Sequence, residues 1–296
     1  MILRALLITL LAGSARAAEL GTAAAVSNWH VKASPHFEVL HESAWSPNSI
    51  TLELEKMFST MRLNMAMFAP WMATERSKIY IYSSQGSFLN GEFAPPKWSK
   101  GLAYPAKKIV VVYDTGDMVK LKAVLAHELT HLYFEGYFAE KLKYPPQWLN
   151  EGLAVYLEDI VFTEGGPWRR ALPYLGMERR LDFKTFSGAK LDQLGSDDRI
   201  SDWYLQAFGT VSYLYRPQTR LQFKNFCDAL RGGEPTEKAL WKNYRIGNGN
   251  DFSDKWEAWL GGYAKSGGAA GLASSGHTFK PVKMSSFPFT SFGFKK

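Results

Sequence analysis

The feature that most constrains this chain is the run His127-Glu128-Leu129-Thr130-His131, which places two histidines four residues apart. On an α-helix, residues at this spacing share one face, so both imidazoles can give a nitrogen to a single metal ion. Glu128 lies beside the first histidine, where its carboxylate can reach a water molecule on the metal. The spacing is typical of a zinc hydrolase whose glutamate is the general base. The alternative is a helix whose two histidines satisfy only local hydrogen bonds.

A catalytic zinc site needs a third protein ligand and leaves its fourth position to water. Apolar residues at helical spacing over residues 148–157 predict a second helix, with Glu151 in its first turn. The chain between His131 and Glu151 is long enough to reverse, so the two helices can pack against each other. Glu158 lies two helical turns further along the same face and is predicted to hydrogen-bond a ligand histidine. The alternative for both glutamates is a solvent-facing position.

These segments resemble the gluzincin clan of zinc metallopeptidases, through His127 to His131 and then Trp148-Leu149-Asn150-Glu151-Gly152-Leu153-Ala154. Within the clan they resemble the peptidase-MA-like bacterial proteins and, more distantly, the aminopeptidase/leukotriene-hydrolase family. The resemblance covers about residues 101–214. It implies that His127, His131 and Glu151 bind one Zn²⁺ per chain, that Glu128 activates water, and that Glu158 supports a zinc-bound histidine.

The resemblance extends to residues on either side of these motifs. Residues 204–214 are similar to a helix on which those relatives carry a tyrosine near the zinc, which implies that Tyr204 donates to the oxyanion. A packed core aromatic is the alternative for Tyr204. In the clan, an edge strand ahead of the zinc helix binds the substrate backbone by strand addition. The residues in that place are Gly101, Leu102, Ala103 and Tyr104.

The chain lacks the Gly-Ala-Met-Glu-Asn motif with which the aminopeptidases capture a free amino terminus. Its absence argues against exopeptidase activity.

Hydropathy patterning predicts an α+β fold. Residues 18–116 form a strand-rich N-terminal part, with strands over residues 29–40, 78–82, 101–104 and 108–113 and one long helix over residues 52–68. Residues 117–263 have helical periodicity. Residues 264–296 are rich in Gly, Ala and Ser and then in scattered Phe, which predicts a flexible tail. The resemblance adds the expectation of a thermolysin-like zincin with a helical zinc-binding subdomain.

Residues 1–17 have the pattern of a secretory signal peptide, because Arg4 precedes an apolar stretch over residues 5–12 that is too short to span a bilayer. Ala15-Arg16-Ala17 offers small residues at the cleavage site, and a short amphipathic anchor is the alternative. No later segment reaches the roughly 18 apolar residues that a membrane helix needs. We therefore expect a soluble extracytoplasmic protein, periplasmic or secreted, after cleavage.

The composition, with 46% hydrophobic and 15% aromatic residues, is typical of a globular protein. The net charge is +7, but Lys and Arg do not cluster at the density expected of a nucleic-acid-binding surface, so no nucleic-acid partner is expected. Cys227 is the only cysteine, which excludes an intramolecular disulfide, and we expect it to be a buried apolar residue.

The sequence favours a zinc metallopeptidase that hydrolyses a peptide or protein substrate. Two alternatives stay open: a noncatalytic envelope protein that binds peptides or proteins on a gluzincin fold, and a zinc hydrolase with a non-peptide substrate. Glu128 argues against the first, since a structural site has no use for a general base. Nothing in the sequence excludes the second, because a fold does not fix a substrate.

Overall fold

A computed structural model describes residues 29–44, 49–97, 99–162 and 165–264. The predicted signal peptide and all but the first residue of the predicted tail lie outside the described residues. The strands are β1 (His30–Ala33), β2 (Phe37–His41), β3 (Ser77–Tyr82), β4 (Gly101–Tyr104) and β5 (Ile109–Tyr113). The helices are α1 (Ile50–Met65), α2 (Gln85–Leu89), α3 (Met118–Ala139), α4 (Gln147–Ile160), α5 (Pro167–Ala171), α6 (Phe183–Gly188), α7 (Asp197–Leu214), α8 (Arg220–Arg231), α9 (Thr236–Tyr244) and α10 (Gly249–Tyr263).

The five strands form one sheet in the order β1-β2-β3-β5-β4. The three inner strands are parallel, and each outer strand runs antiparallel to its neighbour. The single strand predicted over residues 29–40 is wrong, because a turn divides it into β1 and β2. The Ser34 backbone N–H donates to the Phe37 carbonyl at 2.8 Å, and Pro35 inside the turn has no N–H to give to a ladder.

α3 is the central element of the molecule. Its first turn is capped by the Asp117 side chain, which accepts hydrogen bonds from the backbone N–H groups of Val119 and Lys120. The helix packs against α1, β4 and β5 on the sheet side and against α4 on the other side. Every residue from Ala123 to Phe134 is buried. A helix that is buried all round lies inside the protein.

The predicted mixed α+β organisation is confirmed, with the sheet in the first part of the chain and helices from α3 onward. One core cluster joins residues of the sheet, α1 and the later helices. Cys227 belongs to this core and is buried, as predicted. In the part of the chain that the structure describes, no helix has both the length and the apolar composition to cross a bilayer.

α4 and α7 approach each other closely at Gly152. A Cβ atom added there would lie 2.6 Å from the Ala207 carbonyl oxygen and 2.7 Å from Val211 Cγ2. The two helix backbones therefore leave no room for a methyl group at this position.

We expect Gly152→Ala to lower the free energy of unfolding by about 1–3 kcal/mol, because the added methyl group overpacks the α4–α7 contact. Denaturant unfolding of the purified protein measures this. Gly261→Ala is the matched control, since a Cβ added at this other helical glycine meets nothing within 4 Å. An equal stability of the two variants would contradict the close approach.

Candidate metal centre

Two buried imidazoles lie together in the middle of α3. His127 and His131 are the tenth and fourteenth residues of this 22-residue helix. Their ring centroids are 4.8 Å apart, and both side chains are at most 1% exposed. The helical spacing therefore brings the two rings to one face of α3, as the sequence predicted.

Glu151 on α4 completes a group of three potential metal ligands. Its Oε2 lies 3.7 Å from His127 Nε2 and 4.0 Å from His131 Nε2. These separations are too long for hydrogen bonds, but atoms bound to one tetrahedral metal at about 2.0–2.2 Å lie about 3.3–3.6 Å apart. Glu151 is the fifth residue of α4, not a member of its first turn as predicted, because the helix already begins at Gln147.

The donor set tests whether this group fits a metal. Two imidazole nitrogens and one carboxylate oxygen are a ligand set that zinc accepts in catalytic sites. Neither oxygen of Glu151 receives a hydrogen bond of normal length and angle, although the side chain is fully buried. Among the described residues this is the one cluster of His, Cys, Asp and Glu with metal-binding geometry. The residues therefore fit a buried divalent cation.

The electrostatics of the pocket also favour a cation. Burial raises the pKa of Glu128 to about 8, although the neighbouring His127 opposes this shift. Burial also raises the pKa of Glu151. Burial alone would lower the pKa of His127, but its contacts with Glu151 and Glu158 raise it to about 10. Burial lowers the pKa of His131 well below its usual value. A divalent cation would offset the mutual repulsion of these carboxylates and favour their ionised forms.

The predicted supporting residue Glu158 contacts His127 directly. Its Oε2 lies 3.0 Å from His127 Nδ1, and the side chain is fully buried. Trp168 on α5 donates its Nε1–H to Glu158 Oε1 at 3.2 Å. When Nδ1 donates to Glu158, the lone pair of Nε2 faces Glu151, so this contact selects the tautomer that can bind a metal. Nothing in the sequence pointed to Trp168.

His131 has a carboxylate near its Nδ1 that the sequence analysis missed. Glu135 lies one helical turn after His131, and its Oε1 is 3.6 Å from His131 Nδ1. Asn150 on α4 donates from Nδ2 to Glu135 Oε1 at 2.8 Å, which fixes that carboxylate. The i, i+4 spacing from His131 to Glu135 was the available signal. Each histidine of the pair therefore has a glutamate beside its Nδ1.

Glu128 lies against the backbone of β4. A Cβ atom added at Gly101 would be 2.6 Å from Glu128 Cγ and 2.9 Å from Glu128 Oε1. Gly101 thus provides the space in which the Glu128 side chain lies. The sequence analysis assigned Gly101 to substrate approach and did not foresee this contact with the predicted general base.

The structure brings Tyr204 to the same pocket. The Tyr204 side chain is 1% exposed. Contact with its hydroxyl favours the ionised form of Glu151, although burial outweighs this effect and raises the pKa of Glu151. Burial and the carboxylate of Glu151 raise the pKa of Tyr204 well above its usual value. The hydroxyl therefore keeps its proton and can act as a hydrogen-bond donor.

The predicted substrate strand is β4, at one edge of the sheet. β4 pairs with β5 from Gly101 to Tyr104, and its other side has no strand partner among the described residues. Leu102, Ala103 and Tyr104 are each partly exposed. Because Gly101 contacts Glu128, this edge begins at the metal centre.

Comparison with protein families agrees with this geometry. A family model described as the peptidase MA superfamily matches residues 69–262, which include β3, β4, β5 and all helices from α3 to α9. Comparison with curated proteins gave no match.

We expect His127→Ala to abolish stoichiometric metal binding, because it removes one of three ligands and leaves Glu158 and Glu151 without their imidazole partner. Elemental analysis of the purified variant measures bound zinc, with circular dichroism to verify folding. His30→Ala is the control, since this exposed histidine lies on β1. A folded His127→Ala protein that still holds one tightly bound equivalent of zinc would refute the ligand assignment.

Proposed function

The chain belongs to the peptidase MA superfamily, and from this premise we propose that it is a zinc-dependent metallopeptidase. The observation that carries the proposal is the buried group of His127, His131 and Glu151, with Glu128 between it and an edge strand. A purely structural metal site would not need Glu128 as a further acidic side chain at the side where a substrate strand can bind.

His127, His131 and Glu151 would hold the zinc ion. When bound, zinc supplies a Lewis acid that polarises the scissile carbonyl and lowers the pKa of water to about 7. Glu158 orients the His127 ring through its 3.0 Å contact with Nδ1, and the carboxylate of Glu135 lies 3.6 Å from His131 Nδ1. This arrangement leaves both Nε2 atoms directed at the same point.

Glu128 is the proposed general base. Its carboxylate takes a proton from the attacking water and later gives it to the leaving amine. The contact with Gly101 sets the position of this carboxylate relative to the substrate strand. Tyr204 donates its phenolic hydrogen to the oxyanion of the tetrahedral intermediate, since its raised pKa keeps the hydroxyl protonated.

A peptide or protein is the proposed substrate, bound as an added strand along residues 101–104. Backbone hydrogen bonds to an edge strand hold a peptide in register whatever its side chains are. The scissile bond would then lie beside Glu128. Together with the predicted signal peptide, these features support a peptidase that acts outside the cytoplasm.

We expect Glu128→Gln to lower peptide hydrolysis by about 10²-fold or more while bound zinc stays at one equivalent, because the amide cannot accept the proton. The assay uses a mixed library of free and amino-terminally acetylated peptides, with zinc measured by elemental analysis. Glu237→Gln, at an exposed position of α9, is the control. Loss of zinc from Glu128→Gln would make Glu128 a ligand, and unchanged hydrolysis would remove it from the mechanism.

We expect Gly101→Ala to lower kcat by at least about tenfold with zinc retained, because the new methyl group displaces the Glu128 carboxylate from its position. Steady-state kinetics and elemental analysis measure the two effects separately. Gly136→Ala on the same helix as Glu128 is the control, since an added Cβ there has only an ordinary 3.7 Å contact. Full activity of Gly101→Ala would contradict the positioning role of this glycine.

A further inference from the structure

The turn that ends α3 has a leucine, Leu142, at a position where glycine is usual. Leu142 N–H donates to the Ala139 carbonyl at 2.8 Å, and Lys143 N–H donates to the Phe138 carbonyl at 3.3 Å. This pair of hydrogen bonds is a Schellman motif, whose left-handed residue is usually Gly and sometimes Asn. Here that residue is Leu142, with a φ of 55°. A leucine in this conformation costs conformational energy that a glycine would not.

Packing within the chain does not compensate this cost. The Leu142 side chain is 92% exposed, and Tyr144 two residues later is 74% exposed. Lys141 and Lys143, on either side of Leu142, are also exposed, and within the described residues neither forms an ion pair. The α3–α4 loop therefore exposes Leu142 and Tyr144 between two cations, and the exposed Leu142 side chain packs too little to offset its backbone strain.

The same surface continues onto α9. Lys143 Nζ lies beside Gly233, 3.9 Å from where a Cβ would be, and Gly233 immediately precedes Glu234. Glu234 Oε1 lies 3.7 Å from Lys238 Nζ and 3.6 Å from Lys242 Nζ. Trp241, between these two lysines on α9, is 53% exposed. We call this surface the Lys–Leu patch, and its members are Lys141, Leu142, Lys143, Tyr144, Lys238, Trp241 and Lys242.

The patch has a net positive charge. Its four lysines outnumber the two carboxylates of residues 234–242, Glu234 and the exposed Glu237, while the nearby Glu140 is paired with Arg231. Its apolar side chains are separated by lysines and do not form a continuous apolar face. A protein partner that buried this surface would have to desolvate those lysines, whereas a bilayer headgroup region solvates them and still takes up the apolar tips.

We propose that the Lys–Leu patch docks this protein peripherally on an anionic phospholipid surface. Leu142, Tyr144 and Trp241 enter the boundary between headgroups and acyl chains, and the lysines contact the lipid phosphates. The left-handed turn raises Leu142 out of the surface, which accounts for a leucine where glycine is usual. Docking here places the lipid next to the loop that connects the two ligand-bearing helices, α3 and α4.

Vesicle co-sedimentation of the full-length mature protein tests the proposal, with phosphatidylcholine vesicles with or without phosphatidylglycerol. We expect binding to the anionic vesicles alone, and its loss as the salt concentration rises from about 0.1 M to about 1 M, where the Debye length falls from about 10 Å to about 3 Å. The double variant Lys141→Gln with Lys143→Gln should bind at least about tenfold more weakly.

Two leucine variants separate docking from folding. Leu142→Ser should weaken vesicle binding, while Leu63→Ser, which changes a leucine of α1 that is 69% exposed, should not. Leu142→Gly should weaken binding and keep or raise the melting temperature, because glycine relieves the left-handed backbone. Unchanged binding by the Leu142 and lysine variants would overturn the proposal, as would equal binding to neutral vesicles. Tighter binding of soluble polyglutamate than of vesicles would assign the patch to an acidic polypeptide instead.

Discussion

Burying ionisable side chains in an apolar core costs free energy unless each polar atom has a partner, and this constraint organises the centre of the molecule. α3 is buried on all sides through its middle, yet it places two histidines and Glu128 there. The neighbouring elements place polar side chains next to these buried groups. Glu158, held by Trp168, forms a hydrogen bond with His127, and Glu135, held by Asn150, lies 3.6 Å from His131. Glu128 Oε1 and both oxygens of Glu151 are buried and accept no hydrogen bond of normal geometry, and a divalent cation would stabilise these carboxylates.

Glycine is required where elements meet at this centre. Gly152 lets α4, which carries Glu151, approach α7, which carries Tyr204. Gly101 lets β4 approach Glu128. At both glycines an added methyl group would overlap atoms of the neighbouring element. The geometry of the metal centre therefore depends on the lack of a side chain at Gly101 and Gly152 as well as on the ligands.

The parts of this arrangement that the sequence predicted are the ones set by local geometry. The i, i+4 spacing of His127 and His131, the helix that carries Glu151 and the strand nature of residues 101–104 each follow from a few neighbouring residues. The contact of Trp168 with Glu158 joins two different helices, and the contact of Gly101 with Glu128 joins a strand and a helix. Residue spacing does not specify such contacts, because they depend on how whole elements pack.

Two errors have equally local causes. The strand predicted over residues 29–40 ignored the interruption by Pro35, where the chain reverses into a hairpin. The helix predicted from Trp148 in fact begins one residue earlier, which moved Glu151 out of the first turn. In both cases the type of element was right and its boundary was not, since a boundary depends on one or two hydrogen bonds.

The position of the ligands along α3 has a kinetic consequence. Helices open from their ends, and the terminal turns exchange their amide hydrogens long before the interior does. His127 and His131 are nine residues from the first residue of α3 and eight from its last, respectively. Fraying of either end therefore leaves the imidazole pair intact. Separation of the two rings requires the core around α3 to open, so the lifetime of the ligand pair is tied to the rate of global unfolding.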